Sequence, residues 1–289
     1  MQWTPGGVSG DIEDRRQGGG GRGTRLGLGG ILLLLLLSII FRRDFLSLLS
    51  GPSGPEGNEA SRTVVETPAE ANLVQFVSFV LDDAQKTWDG LLPQQTGKPY
   101  RHAKLVLFRD VTESSCGRAQ SAAGPFYCPA DENVYIDLGF YDELKSRFGA
   151  RGDFAEAYVL AHEIGHHVQK ILGISDEVRA LQARSPSQAN PLSVRLELQA
   201  DCLAGIWAHS TAQRHLIDRS DVESGIRAAG AIGDDRLQRM ARGYVSPESF
   251  THGSSAQRVE CFERGLTGGQ ISQCNTFGGT MIRAPDYFR

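Results

Sequence analysis

The sequence predicts an α+β protein in which a mainly helical domain with a small sheet follows a single transmembrane helix. Three observations support this prediction. Residues 26–41 carry no charge and include six consecutive leucines. Later stretches, such as residues 73–81, place apolar side chains at helical spacing. Two shorter runs, residues 103–108 and 133–138, have the unbroken apolar character or the alternation of strands.

The N-terminal quarter of the chain is expected to lie outside the folded domain. Residues 1–25 are rich in Gly and Arg, which predicts a disordered tail, and the Gly/Pro-rich residues 50–66 predict a linker. The uncharged core of the apolar segment 26–49 spans only about 24 Å as a helix, but its flanking arginines can snorkel to the membrane surface. A cleaved signal peptide and a buried helix are less favoured, because neither a small-residue cleavage site nor a polar face is present.

Five cysteines bear on the cellular compartment. Cys116 and Cys128 lie in one Gly-rich loop, and Cys261 and Cys274 lie in another. Two local disulfides are therefore expected, with Cys202 as a buried thiol. Because disulfides persist in oxidising compartments, the predicted arrangement is a single-pass membrane protein with an extracytoplasmic catalytic domain.

Residues 67–289 are expected to form the folded domain. It begins with a capping box at residues 67–70, where Pro68 occupies the first helical position of a helix that runs to about Leu92. The strand at 133–138 is expected at a sheet edge. Further helices are expected at these places: residues 153–172, residues 192–211, after Ser220, and after Ser254 or Ser255.

The central motif is His162-Glu163-Ile164-Gly165-His166. On a helix, positions four apart share one face, so both imidazoles can hold one zinc ion. Glu163 is placed to act as a general base on a water molecule that the metal activates. His167 is turned about 100° from His166 and is not expected to be a ligand.

A catalytic zinc ion needs a third protein ligand, and residues 197–201 offer a pair of acids four apart. Glu197 fits as the third ligand. Asp201, on the same helix face, fits as the acceptor of a hydrogen bond from a ligating imidazole. The surrounding run is too apolar for an exposed helix, which argues against two solvated surface acids.

The reaction would also need a donor for the oxyanion that forms on attack at a peptide carbonyl. His252 is a candidate, because it lies in a Gly/Ser loop just before a helix, and an ordinary surface histidine fits the same position equally well. Tyr135 and Tyr244 are alternatives. Arg258 is favoured as the partner of a buried acid.

Residues 162–169 (HEIGHHVQ) and 197–205 (ELQADCLAG) resemble the putative neutral zinc metallopeptidases of bacteria, and segments 13–16, 124–131 and 252–258 are similar to that family as well. The resemblance implies a zincin-like fold, a single membrane anchor and one zinc ion per chain. Glutamate as third ligand, with Asp four residues on, also looks like the gluzincin peptidases. The resemblance supplies no substrate.

Two functions fit these residues. The favoured one is a zinc endopeptidase that acts on a peptide or protein substrate, which could add to the edge strand by main-chain hydrogen bonds. The alternative is a non-catalytic, zinc-stabilised, membrane-anchored binding module. Only the enzyme requires Glu163. The net charge of −4 gives no indication of a nucleic-acid partner.

Overall fold

A computed structural model describes residues 1–16, 66–120, 124–147, 149 and 152–278 of the chain. The described residues form a mainly helical α+β structure with two small sheets. The strands are β1 (Ile12–Asp14), β2 (Lys104–Phe108), β3 (Val111–Ser114), β4 (Gly117–Gln120), β5 (Phe126–Cys128) and β6 (Asn133–Asp137). The helices are α1 (Pro68–Thr96), α2 (Gly139–Ser146), α3 (Asp153–Leu172), α4 (Ile174–Arg184), α5 (Ala189–Gln213), α6 (Arg219–Ala231), α7 (Asp234–Arg242) and α8 (Ser255–Gly268).

Helix boundaries follow the local signals. Thr67 caps α1 through its side chain, and Pro68 is the first helical residue, as predicted. Gly173 ends α3 in the left-handed conformation that glycine adopts without strain. Ser254 caps α8 in a capping box with Gln257. The sequence did not predict α2, α4, α7 or the β3–β4 hairpin.

The main sheet has the strand order β1-β2-β6-β5. Strands β1, β2 and β6 run parallel, and β5 runs antiparallel to β6. The prediction that residues 133–138 form an edge strand was wrong, because β6 pairs on both sides. In the sheet that the described residues form, β5 is the edge on that side.

The expectation of a disordered tail was wrong for the first 15 residues. Ile12, Glu13 and Asp14 pair with Leu105, Val106 and Leu107 as strand β1, and residues 1–15 belong to the same compact unit as the described residues from Glu66 onwards. Strand β1 is ordered because it pairs with β2. The Gly- and Arg-rich composition of the segment gave no indication of this pairing.

The expected membrane segment, residues 26–49, lies outside the described residues. Among the described helices, none is long and apolar enough to cross a bilayer.

One of the two expected disulfides was wrong. Cys116 pairs with Cys128 as predicted. Cys274, however, pairs with Cys202, while Cys261 is a buried free thiol. The reason is that Cys261 lies within α8 and not in a loop, and the short 3-10 helix Ile271–Cys274 folds back against α5, which carries Cys202.

Helices α3 and α5 cross closely enough that the crossing point requires a glycine. A Cβ added at Gly165 would lie 2.9 Å from the carbonyl oxygen of Ala200. Backbone atoms cannot move aside as a flexible side chain can, so a side chain here would separate the two helices. This contact brings one turn of α3 next to the turn of α5 that contains Glu197.

Candidate metal centre

His162 and His166 project from one face of α3 with their rings in edge-to-face contact, 4.8 Å between centroids. His162 is buried and His166 is nearly so. The HExxH spacing therefore does what helical geometry predicts, since residues four apart stand one turn above each other.

Glu197 of α5 completes a convergent set of three ligands. Its Oε2 lies 3.2 Å from His162 Nε2, and its Oε1 lies 3.4 Å from His166 Nε2. Ligands at the usual zinc distances in a tetrahedral site are separated from each other by about 3.3 Å. Among the described residues, these three form the group whose ligand atoms could hold a metal ion, all within 4.8 Å of one another. The residues present therefore fit zinc.

Both imidazoles are oriented by partners at Nδ1, which leaves Nε2 directed at the centre. His162 Nδ1 donates to Asp201 Oδ1 at 2.8 Å, and His166 Nδ1 donates to Gln169 Oε1 at 2.8 Å. Gln169 is in turn fixed by donating to the carbonyl of Leu196 at 2.7 Å. Such outer contacts set the tautomer and ring orientation of metal ligands. Sequence reasoning assigned this role to Asp201 but missed Gln169, whose spacing from His166 was the available signal.

Asp201 is fully buried, and its carboxylate accepts hydrogen bonds from three residues. Besides His162, the Arg258 guanidinium donates to both carboxylate oxygens at 2.9 Å, and the Tyr158 hydroxyl donates to Oδ1. Burial alone would raise the pKa of Asp201, but Arg258 and His162 hold it below its usual range. Asp201 is thus an anion in the protein interior, stabilised by a paired cation.

Arg258 therefore supports the metal centre, and its guanidinium is occupied by Asp201 and the hydroxyl of Tyr158 (3.2 Å). This agrees with its favoured assignment as the partner of a buried acid. Tyr158 was missed by sequence reasoning, because a single tyrosine on an apolar helix face gives no signal of its hydrogen-bond partner.

The charge states suit a metal ligand and a base. Burial raises the pKa of Glu197, yet the two histidines hold it well below its usual range. Burial raises the pKa of Glu163, and the neighbouring histidines only partly oppose that rise. Glu163 lines the cleft beside both imidazoles, and an elevated carboxyl pKa is typical of a group that transfers protons.

The metal centre opens into a cleft of about 580 Å³. Its lining includes Tyr127 of β5, Val159 of α3, Leu196 of α5 and His252. The mixture of apolar walls and a few convergent polar groups is typical of a ligand-binding site.

His252 exposes about half of its side chain and is held by Asp234 at the start of α7. Asp234 Oδ1 lies 3.2 Å from His252 Nδ1, and Oδ2 accepts the backbone N–H groups of Thr251, His252 and Gly253. Asp234 was missed by sequence reasoning. Its position 18 residues before His252 carries no local signal.

The two alternative oxyanion donors do not line the cleft. Tyr135 is buried in β6, where its hydroxyl donates to Asp131 at 2.9 Å and its ring stacks on Phe126. Tyr244 is largely exposed after α7, with Arg242 over its ring. Both assignments are therefore incompatible with the structure.

The sequence profile of the putative neutral zinc metallopeptidases matches residues 1–277. The chain belongs to this family. The match extends to the first residues and so includes β1, which belongs to the four-stranded sheet.

Two relatives of the chain illustrate the family. The uncharacterized protein YpfJ of Escherichia coli K12 is 46% identical over 288 residues, which cover 96% of this chain and 99% of YpfJ. The uncharacterized protein Rv2575 of Mycobacterium tuberculosis H37Rv is 42% identical over 201 residues, 66% of each chain. No solved structure matches the chain.

Proposed function

We propose that the chain is a zinc-dependent endopeptidase with a zincin-like catalytic domain, in which His162, His166 and Glu197 hold one zinc ion. The observation that carries this proposal is the convergence of ligand atoms from His162, His166 and Glu197 within 4.8 Å of one another, with the buried carboxyl group of Glu163 on the helix of the two histidines. The family description supports the metal and the reaction class.

When bound, zinc would supply Lewis acidity and lower the pKa of a water molecule to about 7. Glu163 would act as the general base, accepting a proton from the water that attacks the peptide carbonyl and passing it to the leaving amine. Because burial raises the pKa of Glu163, the carboxyl group is a better base than an exposed glutamate would be.

His252 is proposed to donate a hydrogen bond to the oxyanion of the tetrahedral intermediate. Asp234 supports this assignment, because it fixes the ring through Nδ1 and leaves Nε2 available to the cleft. A hydrogen bond to Asp234 raises the pKa of His252 more than burial lowers it, which favours the protonated donor.

The edge of β5 is proposed to bind the substrate backbone. Strand β5 lines the cleft and, within the described sheet, is paired on one side by β6. An extended peptide can hydrogen bond to such an edge while its side chains enter pockets on the two faces. This assigns to β5 the role that sequence reasoning gave to residues 133–138.

The alternative function is a zinc-stabilised binding module without catalysis. It would use the same three ligands and the same cleft. It does not explain why the buried carboxyl group of Glu163 lines the cleft beside the two histidines.

The deciding experiment compares Glu163→Gln with the unmodified full chain in zinc content and in digestion of a peptide library. Glutamine keeps the shape and removes the base, so zinc should stay near one per chain while hydrolysis falls about 10²–10⁴-fold. Full activity in the variant would remove Glu163 from the mechanism, and full zinc without hydrolysis by the unmodified protein would favour the binding module.

An extracytoplasmic location is also proposed, and the two disulfides support it. Mass mapping of non-reduced digests from the native host should find Cys116–Cys128 and Cys202–Cys274. Five free thiols in protein from that source would instead place the domain in a reducing compartment.

A further inference from the structure

His167 follows the ligand His166 on α3, yet its ring points away from the metal centre and is fully buried. Its Nε2 lies 2.7 Å from the carbonyl oxygen of Arg101, and its Nδ1 lies 3.0 Å from the hydroxyl of Tyr127. A carbonyl can only accept, so Nε2 carries the proton. In the neutral imidazole, Nδ1 then accepts the Tyr127 hydroxyl proton, which gives the direction of both hydrogen bonds.

Tyr127 is the middle residue of β5, the strand whose edge lines the cleft. Its two neighbours attach the strand elsewhere: Phe126 stacks on Tyr135 at 4.8 Å, and Cys128 forms the disulfide with Cys116. Tyr127 thus provides a side-chain hydrogen bond between β5 and the helix that carries His162 and His166.

We propose that His167 and Tyr127 are positioning residues that set the distance between the β5 edge and the metal ligands. This inference rests on the proposed function, in which a peptide lies along β5 with its scissile carbonyl at the metal. Helix α3 fixes the ligands and the hydrogen bond fixes the strand, so the register of the bound peptide depends on both. Small misplacements of a substrate at a reacting centre are costly in rate.

The chain offers a matched control in Tyr100. The Tyr100 ring packs edge-on against His167, with 5.5 Å between centroids, the same separation as for Tyr127. Its buried hydroxyl has no hydrogen-bond partner among the described residues. Tyr100→Phe and Tyr127→Phe therefore remove the same atom next to the same ring, but only the second removes a hydrogen bond.

The experiment measures both variants in the full, zinc-loaded chain with a long peptide that can run along β5 and with a short substrate that spans only the scissile bond. For Tyr127→Phe we expect KM for the long peptide to rise by up to about tenfold, because losing one hydrogen bond can shift β5 out of its binding position by at most the free energy of that bond. The zinc content should not change, and KM for the short substrate should change less than KM for the long peptide. Tyr100→Phe should match the unmodified chain.

Binding of the long peptide to the Glu163→Gln background provides a readout that does not need turnover. Tyr127→Phe should weaken this binding by the same factor as it raises KM. Equal behaviour of Tyr127→Phe and Tyr100→Phe, or a lowered melting temperature with no difference between long and short substrates, would overturn the positioning role and leave the proposed function intact. Absence of both hydrolysis and peptide binding in the unmodified chain would overturn both.

Discussion

The metal centre and the N-terminal strand β1 are both held by a histidine between acidic groups, but they differ in burial. At the metal centre, His162 and Asp201 are buried. At β1, His102 is half-exposed and bridges Asp11, 2.7 Å from Nδ1, and Asp89, 3.0 Å from Nε2. The same kinds of side chain thus form two different structures. One is the candidate metal centre, and the other is the exposed cluster of His102, Asp11 and Asp89, called the β1 clasp below, which holds the strand.

The difference follows from what surrounds each histidine. His162 presents Nε2 to a second histidine and Glu197, so its contacts converge on one point that is open to a cleft. Both ring nitrogens of His102 are occupied by carboxylates from separate elements, and Lys104 adds a cation 3.5 Å from Asp11. A metal site needs several ligand atoms that point at one place and are not held by other partners. Histidine and acidic side chains in contact are not sufficient, because they also form ordinary ion-pair clusters.

The largest expected effect tests this distinction directly. His162→Ala should abolish stoichiometric zinc binding, because two ligands remain of the three that a catalytic site requires. His102→Ala, which removes a histidine of similar acidic surroundings, should retain one zinc per chain. Elemental analysis of both purified variants checks the prediction. Zinc retained by His162→Ala and lost by His102→Ala would reverse the roles of the two regions.

A second prediction concerns the placement of β1. Because β1 pairs with β2, residues 1–15 and residues 66–278 should lie on the same side of any membrane that the chain contacts. Gly6→Cys and Gly90→Cys place single thiols at open, exposed positions on the two parts. In intact cells, a membrane-impermeant maleimide should label both variants or neither. Labelling of one variant alone would contradict the pairing of β1 with β2.

These two regions also show what could be predicted from the sequence. The proposed ligands His162 and His166 and the proposed base Glu163 lie within about one and a half helical turns, so their arrangement could be predicted from their spacing. Strand β1 pairs with residues about 90 positions away, and no local pattern in a Gly-rich stretch identifies that partner. The same limit explains why the Cys202–Cys274 disulfide was missed.

The long helices were predicted because hydrophobic periodicity accumulates over several turns. The expected cap at Ser220 was wrong, since Asp218 caps α6 in a capping box with Asp221. Short elements were missed. Helix α7 contains nine residues, and the strands of the β3–β4 hairpin contain four each. The helix supplies Asp234 beside His252, so this side of the candidate site could not be assembled from sequence alone.

A third prediction addresses the support of the metal centre. Asp201→Asn should lower zinc affinity about 10–100-fold, the usual effect of losing the carboxylate behind a ligating histidine. Tyr158→Phe keeps that carboxylate and its contacts with His162 and Arg258, so its effect on affinity should be smaller. Competition with a zinc chelator measures both. Equal affinities for Asp201→Asn and the unmodified chain would show that the negative charge of Asp201 does not support zinc binding.

The smallest expected effect is the pH dependence of the β1 clasp. Burial lowers the pKa of His102, but its hydrogen bonds with Asp89 and Asp11 raise it above the usual value. Burial raises the pKa of Asp11, but His102 and Lys104, together with a hydrogen bond of 2.9 Å from Gln85, lower it. A raised histidine pKa contributes stability that is complete below about 6.5 and is lost as the pH rises through the folded value. A lowered aspartate pKa contributes stability that is lost only as the pH falls below about 4. The clasp should therefore be strongest between these limits and weaken towards alkaline pH.

The difference in unfolding free energy between the unmodified chain and His102→Gln should shrink from pH 6 to pH 9 in denaturant titrations. A difference that stays constant over this range would mean that His102 acts as a neutral hydrogen-bond donor and not as a cation.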